Sequence, residues 1–225
     1  MQYEILHQGA FSLLQVKLLP GEAIKAESGA MVSMTSNVEL RGNIEGGLFK
    51  GLGRMLSGEK FFFQELLAQG REAEVTLAPT SLGNVVAVEL DGSYSLYVQK
   101  DGFLAATKDI EIATKMQNLS KGLLSGEGFF IIEIRGRGTV FLSSFGSIEA
   151  KDVEAGEELI VDNGHLVAWP GYMNYNIERA ARGWISTFTT GEVAVCRFRG
   201  PGTILIQTRN PRAMGSWISQ FIPKS

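Results

Sequence analysis

The sequence predicts a mainly β protein: three pseudo-symmetric β-hairpin repeats forming one β-sandwich or β-helix-like domain, with short helices between strands and a C-terminal helix. Three observations lead there. First, a Gly-Glu step recurs at Gly58-Glu59, Gly126-Glu127 and Gly191-Glu192, and apolar runs broken by a Gly turn follow each one: FFFQELLAQGREAEVTLA, FFIIEIRGRGTVFLSS and VAVCRFRGPGTILIQT. Second, another phrase recurs upstream, as LPGEAIKAESGAMVSM, LDGSYSLYVQKDGFLAAT and EAGEELIVDNGHLVAWP, each turning near Gly29, Gly102 or Gly164. Counted between those glycines the period is 62 to 73 residues, and a fixed period is the signature of a repeat architecture. Third, 27 glycines among 225 residues supply many turns to a chain that is 44% hydrophobic and 20% charged, an ordinary globular balance.

The elements follow from these phrases. Residues 1–209 make the β domain, divided at about 1–80, 81–145 and 146–209, and residues 210–225 make an amphipathic tail. Within each repeat, β-branched and aromatic runs around Gly or Pro-Gly read as hairpins. Too few strands lie in one repeat to bury a core alone, so three must share one. Between the two phrases the spacing of Ile112, Met116, Leu119 and Leu123 predicts a helix stopped by Gly126, with Lys115, Asn118 and Ser125 off its apolar stripe. A shorter version comprises Leu48, Leu52 and Met55, flanked by Phe49 and Leu56, with Lys50 and Arg54 opposite and Gly58 at its end. Gly at such a helix exit suits the left-handed conformation, and Glu begins the outgoing strand. The third counterpart, YMNYNIERAARGWIST, is compatible with helix or strand. In the tail, Asn210 is a cap, Pro211 a first helical residue, and Met214, Trp217, Ile218, Phe221 and Ile222 fall at helical spacing before Pro223.

Composition excludes several classes. A formal charge of −3 gives no general case for nucleic acid, whose backbone is bound by displacing counterions with Lys and Arg. Residues 176–225 nevertheless hold seven basic side chains against Glu178 and Glu192. Dispersed surface charge is the expected reading of that bias, and a basic patch facing an anionic partner is the alternative. Cys196 alone cannot form an intramolecular disulfide or a multi-cysteine zinc site. No apolar run reaches the roughly eighteen residues of a membrane span, and the first residues lack a basic stretch leading into an apolar one, so a cytoplasmic location is expected.

The helix GLFKGLGRMLSGEKFF and the closing GE…RFRGPGTILIQTRNP together resemble the altered-inheritance-of-mitochondria family, whose bacterial members were formerly a domain of unknown function. The resemblance spans essentially the whole chain. It implies three β repeats with pseudo-threefold symmetry, similar to the subunit fold of the trp RNA-binding attenuation protein. Mitochondrial members of the family are associated with inner-membrane organisation. No particular reaction is implied, and a shared fold does not carry RNA binding with it, because function belongs to sites.

Candidate chemistry is sparse. Glu59, Glu127 and Glu192 could converge on an axis and hold a hard cation, but the repeat accounts for all three without one. His165, near Asp162 and Asn163, has Ala30 and Phe103 as repeat counterparts, which favours packing over a general base. His7 lies in an N-terminal strand with no acidic or thiol partner. Cys196 aligns with Phe63 and Ile131 as a small buried hydrophobe. The loop GGLFKG lacks the Gly-Lys-Ser/Thr ending of a phosphate loop, and no Gly-x-Ser-x-Gly elbow occurs.

No catalytic, cofactor-binding or metal-binding residue is therefore assigned. The interaction candidates are Phe49, Leu52 and Met55 on the first helix and Trp217, Phe221 and Ile222 on the tail. Core cover is the expected role of the first, while the tail could dock on its own domain, a neighbouring copy or lipid. The expected protein is a non-enzymatic β-rich scaffold or binding module that forms homo-oligomers and contacts a membrane or protein partner peripherally. A small-ligand pocket between repeats, walled by Trp169, Tyr172 and Trp184 with His165 as its polar group, is the runner-up, and RNA binding by fold analogy a third.

Overall fold

The computed structural model describes residues 1–9, 11–43, 63–117, 129–179 and 194–223. Strand β1 (Gln2–Leu6) precedes a six-strand unit that occurs three times. The first copy contains β2 (Leu13–Leu18), β3 (Ala23–Glu27), β4 (Met31–Met34), β5 (Val38–Asn43), β6 (Phe63–Ala68) and β7 (Ala73–Leu77). In the second are β8 (Val85–Asp91), β9 (Leu96–Gln99), β10 (Phe103–Thr107), β11 (Glu111–Gln117), β12 (Phe129–Arg135) and β13 (Arg137–Ser143). The third has β14 (Ile148–Val153), β15 (Glu158–Asp162), β16 (Leu166–Pro170), β17 (Asn174–Arg179), β18 (Ala194–Arg199) and β19 (Gly202–Gln207), followed by helix α1 (Pro211–Ser219).

The protein is mainly β, and its repetition lies in the pairing as well as the order. In every copy the sixth strand sits between the first and third, and the fifth sits between the fourth and second. The second strand of one copy then pairs with the third strand of the next, β3 with β10 and β9 with β16. Two six-stranded sheets result, ordered β5-β6-β3-β10-β13-β8 and β11-β12-β9-β16-β19-β14, while β1-β2-β7-β4 and β15-β18-β17 stand as shorter sheets. Even an irregularity recurs: the pairing of third with sixth strand skips one residue in each copy, at Val32, Leu104 and Val167. Such a bulge is a built-in bend of the strand.

Chain contacts divide the molecule into two compact units. In the first, Leu14, Val16, Val75 and Leu77 of the four-stranded sheet share one apolar cluster with Ile24, Leu66, Leu104 and Phe141 of a six-stranded sheet. In the second, Val161, Cys196 and Phe198 of the three-stranded sheet cluster with Ile131, Leu166, Trp169 and Ile204 of the other six-stranded sheet. Each unit is thus two β layers over a shared core, the arrangement that lets alternating strands bury one face.

Two local expectations change, and an open one is resolved in part. Strands flanking the Gly turns do not pair with each other: β6 and β7, β12 and β13, and β18 and β19 each pass into different sheets. Those turns carry the chain from one sheet to another. The helix expected over Ile112–Leu123 is strand β11 as far as Gln117. There Ile110 and Ile112 are buried while Glu111 and Ala113 are exposed, the period of two that a strand imposes. The 172–187 stretch, compatible with either state, is strand over Asn174–Arg179. The helix expected over 48–56 lies outside the described residues.

The recurring glycines are also out of phase by one. Loops of equal length join second to third strand, Glu27–Met31, Gln99–Phe103 and Asp162–Leu166, so Gly29 and Gly164 correspond to Asp101, and Gly102 corresponds to Ala30 and His165. Gly29 has φ of 93°, which only glycine adopts cheaply. Gly102 is instead wedged: a Cβ there would meet the Val98 and Val167 methyls at 3.2 and 3.3 Å.

Candidate functional site

Of the interaction candidates read from the sequence, the tail is the one the described residues contain, and its base is hydrogen-bonded to the sheet. Gln207, the last residue of β19, is held from three directions. Its Oε1 accepts from Phe145 N at 2.8 Å, its Nε2 donates to Gly164 O at 2.9 Å, and its carbonyl accepts from His165 Nδ1 at 2.8 Å. Because a carbonyl only accepts, His165 carries its proton on Nδ1 in that contact. Next along the chain, Thr208 N donates to Ser147 O at 3.0 Å, Ser147 N donates to Thr208 Oγ1 at 2.9 Å, and Arg209 N donates to Phe145 O at 3.2 Å. Asn210 Oδ1 then accepts from Arg212 N at 2.9 Å and Ala213 N at 3.3 Å, with Pro211 at the first helical position. The expected cap is therefore present.

Beyond that base the helix touches little. None of the residues in α1 is buried. Trp217 is 55% exposed and Phe221 69%, with ring centroids 5.1 Å apart, and Met214, Ile218 and Ile222 are exposed beside them. A nine-residue helix is marginal in water by its own hydrogen bonds, and most helices of this length are held by packing an apolar face. Here that face is presented to solvent.

Charge sharpens the picture. Residues 193–225 contain no Asp or Glu and five basic residues, Arg197, Arg199, Arg209, Arg212 and Lys224. Two of these are already paired on the three-stranded sheet. Arg197 bonds Glu178 at 2.6 Å and Glu158 at 3.1 Å, and Arg199 bonds Glu158 at 2.7 Å. Hydrogen bonds from Arg199 first and Arg197 second hold the Glu158 carboxyl below its ordinary range. Arg209 and Arg212 flank the helix entrance.

Other sequence candidates resolve differently. Trp169 is fully buried among Tyr97, Tyr175 and Phe198, so it is a core residue; Tyr172 is 61% exposed and meets Tyr94 edge-on at 5.7 Å. Those two do not wall one pocket with His165, whose ring is spent on anchoring Gln207. His7 lies just past β1 at φ 52°. Cys196 is buried, and burial with Asp162 nearby pushes its thiol up to about 12. Its register partners make Gln64 and Ile132 its counterparts, one residue beyond Phe63 and Ile131. Among the described residues no cluster of three His, Cys, Asp or Glu side chains could hold a metal, and no helix is long and apolar enough to cross a membrane. Glu59, Glu127, Glu192, Phe49, Leu52, Met55 and Trp184 lie outside the described residues.

One polar cluster escaped the sequence reading. Lys115 Nζ lies 2.9 Å from Glu133 Oε2 and 3.3 Å from the Tyr97 hydroxyl, and the Glu133 side chain is only 5% exposed. Glu65 is its counterpart in the first copy, opposite buried Lys25, whose Nζ donates to Ile110 O at 2.7 Å. The repeated FFFQE and FFIIE carried the signal, since an acid in the same place of two apolar strands calls for an interior cation.

Repeated strands in two-layer β units, followed by a capped terminal helix, define a β-repeat protein. The chain belongs to the family described as Mitochondrial biogenesis AIM24, whose pattern matches residues 3–209. It is 32% identical to an uncharacterized protein of Streptococcus pyogenes serotype M6, over 100% of this chain and 92% of that one. A mitochondrial protein of Aspergillus flavus, altered inheritance of mitochondria protein 24, is 24% identical over 90% of this chain, which spans 60% of that longer protein. The crystal structure of another Streptococcus pyogenes protein superimposes with a TM-score of 0.82 at 30% identity, covering 98% of this chain and 99% of that one.

Proposed function

We propose that the protein is a non-enzymatic, cytoplasmic β-rich binding module that docks on anionic membrane surfaces through its C-terminal helix. The observation that carries this reading is the uncovered stripe of Met214, Trp217, Ile218, Phe221 and Ile222 in a 33-residue stretch without acidic side chains. Aromatic and aliphatic residues on one face with basic residues at the ends are what an interfacial helix requires, the first for burial below the headgroups and the second for anionic lipid. Asn210 and the Gln207 anchor fix the direction in which that face is offered.

Co-sedimentation with vesicles of phosphatidylcholine, with and without about a quarter phosphatidylglycerol, tests it. The chain should sediment with the anionic vesicles. Each large apolar side chain buried is worth roughly 1.5–3 kcal/mol, so Trp217→Ser with Phe221→Ser should weaken binding at least about tenfold. Equal sedimentation of the wild type and the double variant, or no sedimentation at all, rejects the reading.

A further inference from the structure

We propose that copies of this chain associate head to tail, β15 of one chain pairing antiparallel with β4 of the next, with Ser33 opposite Val161, Met34 opposite Ile160 and Thr35 opposite Leu159. Consecutive copies within one chain meet at a joint. At that joint the second strand of one copy pairs with the third strand of the next, and it is made twice in one register: Ala26 opposite Ala105 and Lys25 opposite Ala106, then Val98 opposite Ala168 and Tyr97 opposite Trp169. Two strands of these classes remain at sheet ends, β4, a third strand, and β15, a second strand. Carrying the repeat equivalences across gives the proposed pairs without further choice.

Exposure marks the same edge. Val32 is 56% exposed, whereas its counterparts Leu104 and Val167 are buried at 0% and 1%. Ser33 is exposed where Ala105 and Ala168 are fully buried, and Met34 is half-buried where Ala106 and Trp169 are fully buried. On the other strand, Leu159 is half-buried where Ile24 and Leu96 are buried. Strand β4 reads MVSM and carries no charge or proline, the devices by which edge strands usually repel a neighbour. Joining β15-β18-β17 to β4-β7-β2 would recreate the strand order of both six-stranded sheets, so the second copy continues an interface the chain already makes internally. Such a contact joins unlike surfaces and grows into a ring or an open chain.

Disulfide trapping with the full chain tests the pairing apart from lipid. One tagged population carries Met34→Cys, a differently tagged one Ile160→Cys, and both sites are half-buried. Mild oxidation of the mixture should yield a mixed disulfide between the two populations. The wild type, whose Cys196 is buried, and either single variant alone should yield none. In light scattering the wild type should be larger than one chain, and Met34→Lys should lower its mass to that of one chain. A wild-type mass of one chain, an unchanged mass for Met34→Lys, or mixed populations that stay unlinked each overturn the pairing. So does a disulfide that forms only within single chains of a Met34→Cys, Ile160→Cys double variant.

Discussion

Lys115 sits on β11, nearly half exposed, with its ammonium against the all but buried carboxylate of Glu133. The hydrogen bond to Glu133 raises the lysine pKa above its ordinary 10.5, and the Tyr97 hydroxyl adds to it. Lys115→Ala should therefore lower stability in urea titration by about 1 kcal/mol, the low end for a charged bond because solvent reaches the lysine. A group whose folded pKa is raised stabilises fully below its unfolded value and loses that contribution as pH climbs through the folded one. The gap between wild type and Lys115→Ala should accordingly stay constant from neutral pH toward 10.5 and close above it. At this scale the repetition of Glu133 with Glu65 was present in the sequence but passed over. The partner of Glu133 was not legible, because Ile112 and Met116 stand four apart and so mimic a helical stripe, which assigned Lys115 to a solvent face.

Among elements, α1 was the most legible, since Asn210 and Pro211 act locally and need nothing distant to place them. Strand β11 was the least, because seven residues with Ile112 and Met116 four apart fit either period until neighbouring strands choose one. The anchor of α1 was likewise invisible, as Gln207, Gly164 and Phe145 meet only through the sheet. It gives a sharp expectation. A Cβ at Gly164 would overlap the Asn210 side chain, so Gly164→Ala should displace the cap. Loss of a cap costs about 1 kcal/mol, and amide hydrogen exchange over residues 212–219 should quicken roughly fivefold. Unchanged exchange would show that the cap survives the methyl.

Over the whole molecule, three copies could be read from sequence because each retains the same turn chemistry. The destination of each strand could not. A glycine corner and a glycine hairpin look alike in one dimension, and which sheet a strand enters depends on partners far along the chain, as for Ala26 with Ala105. Charge is also a property of the whole: the net −3 is unevenly spread, with no acid in residues 193–225, and the proposed docking turns that end toward the anionic bilayer. Raising salt from about 0.1 M to about 1 M shrinks the screening length from about 10 Å to about 3 Å, so vesicle binding should weaken several-fold while a purely apolar contact would not. Each added copy pairs one open edge and supplies another of the same kind, so duplication lengthens the chain while leaving one second strand and one third strand at sheet ends, whatever the number of copies.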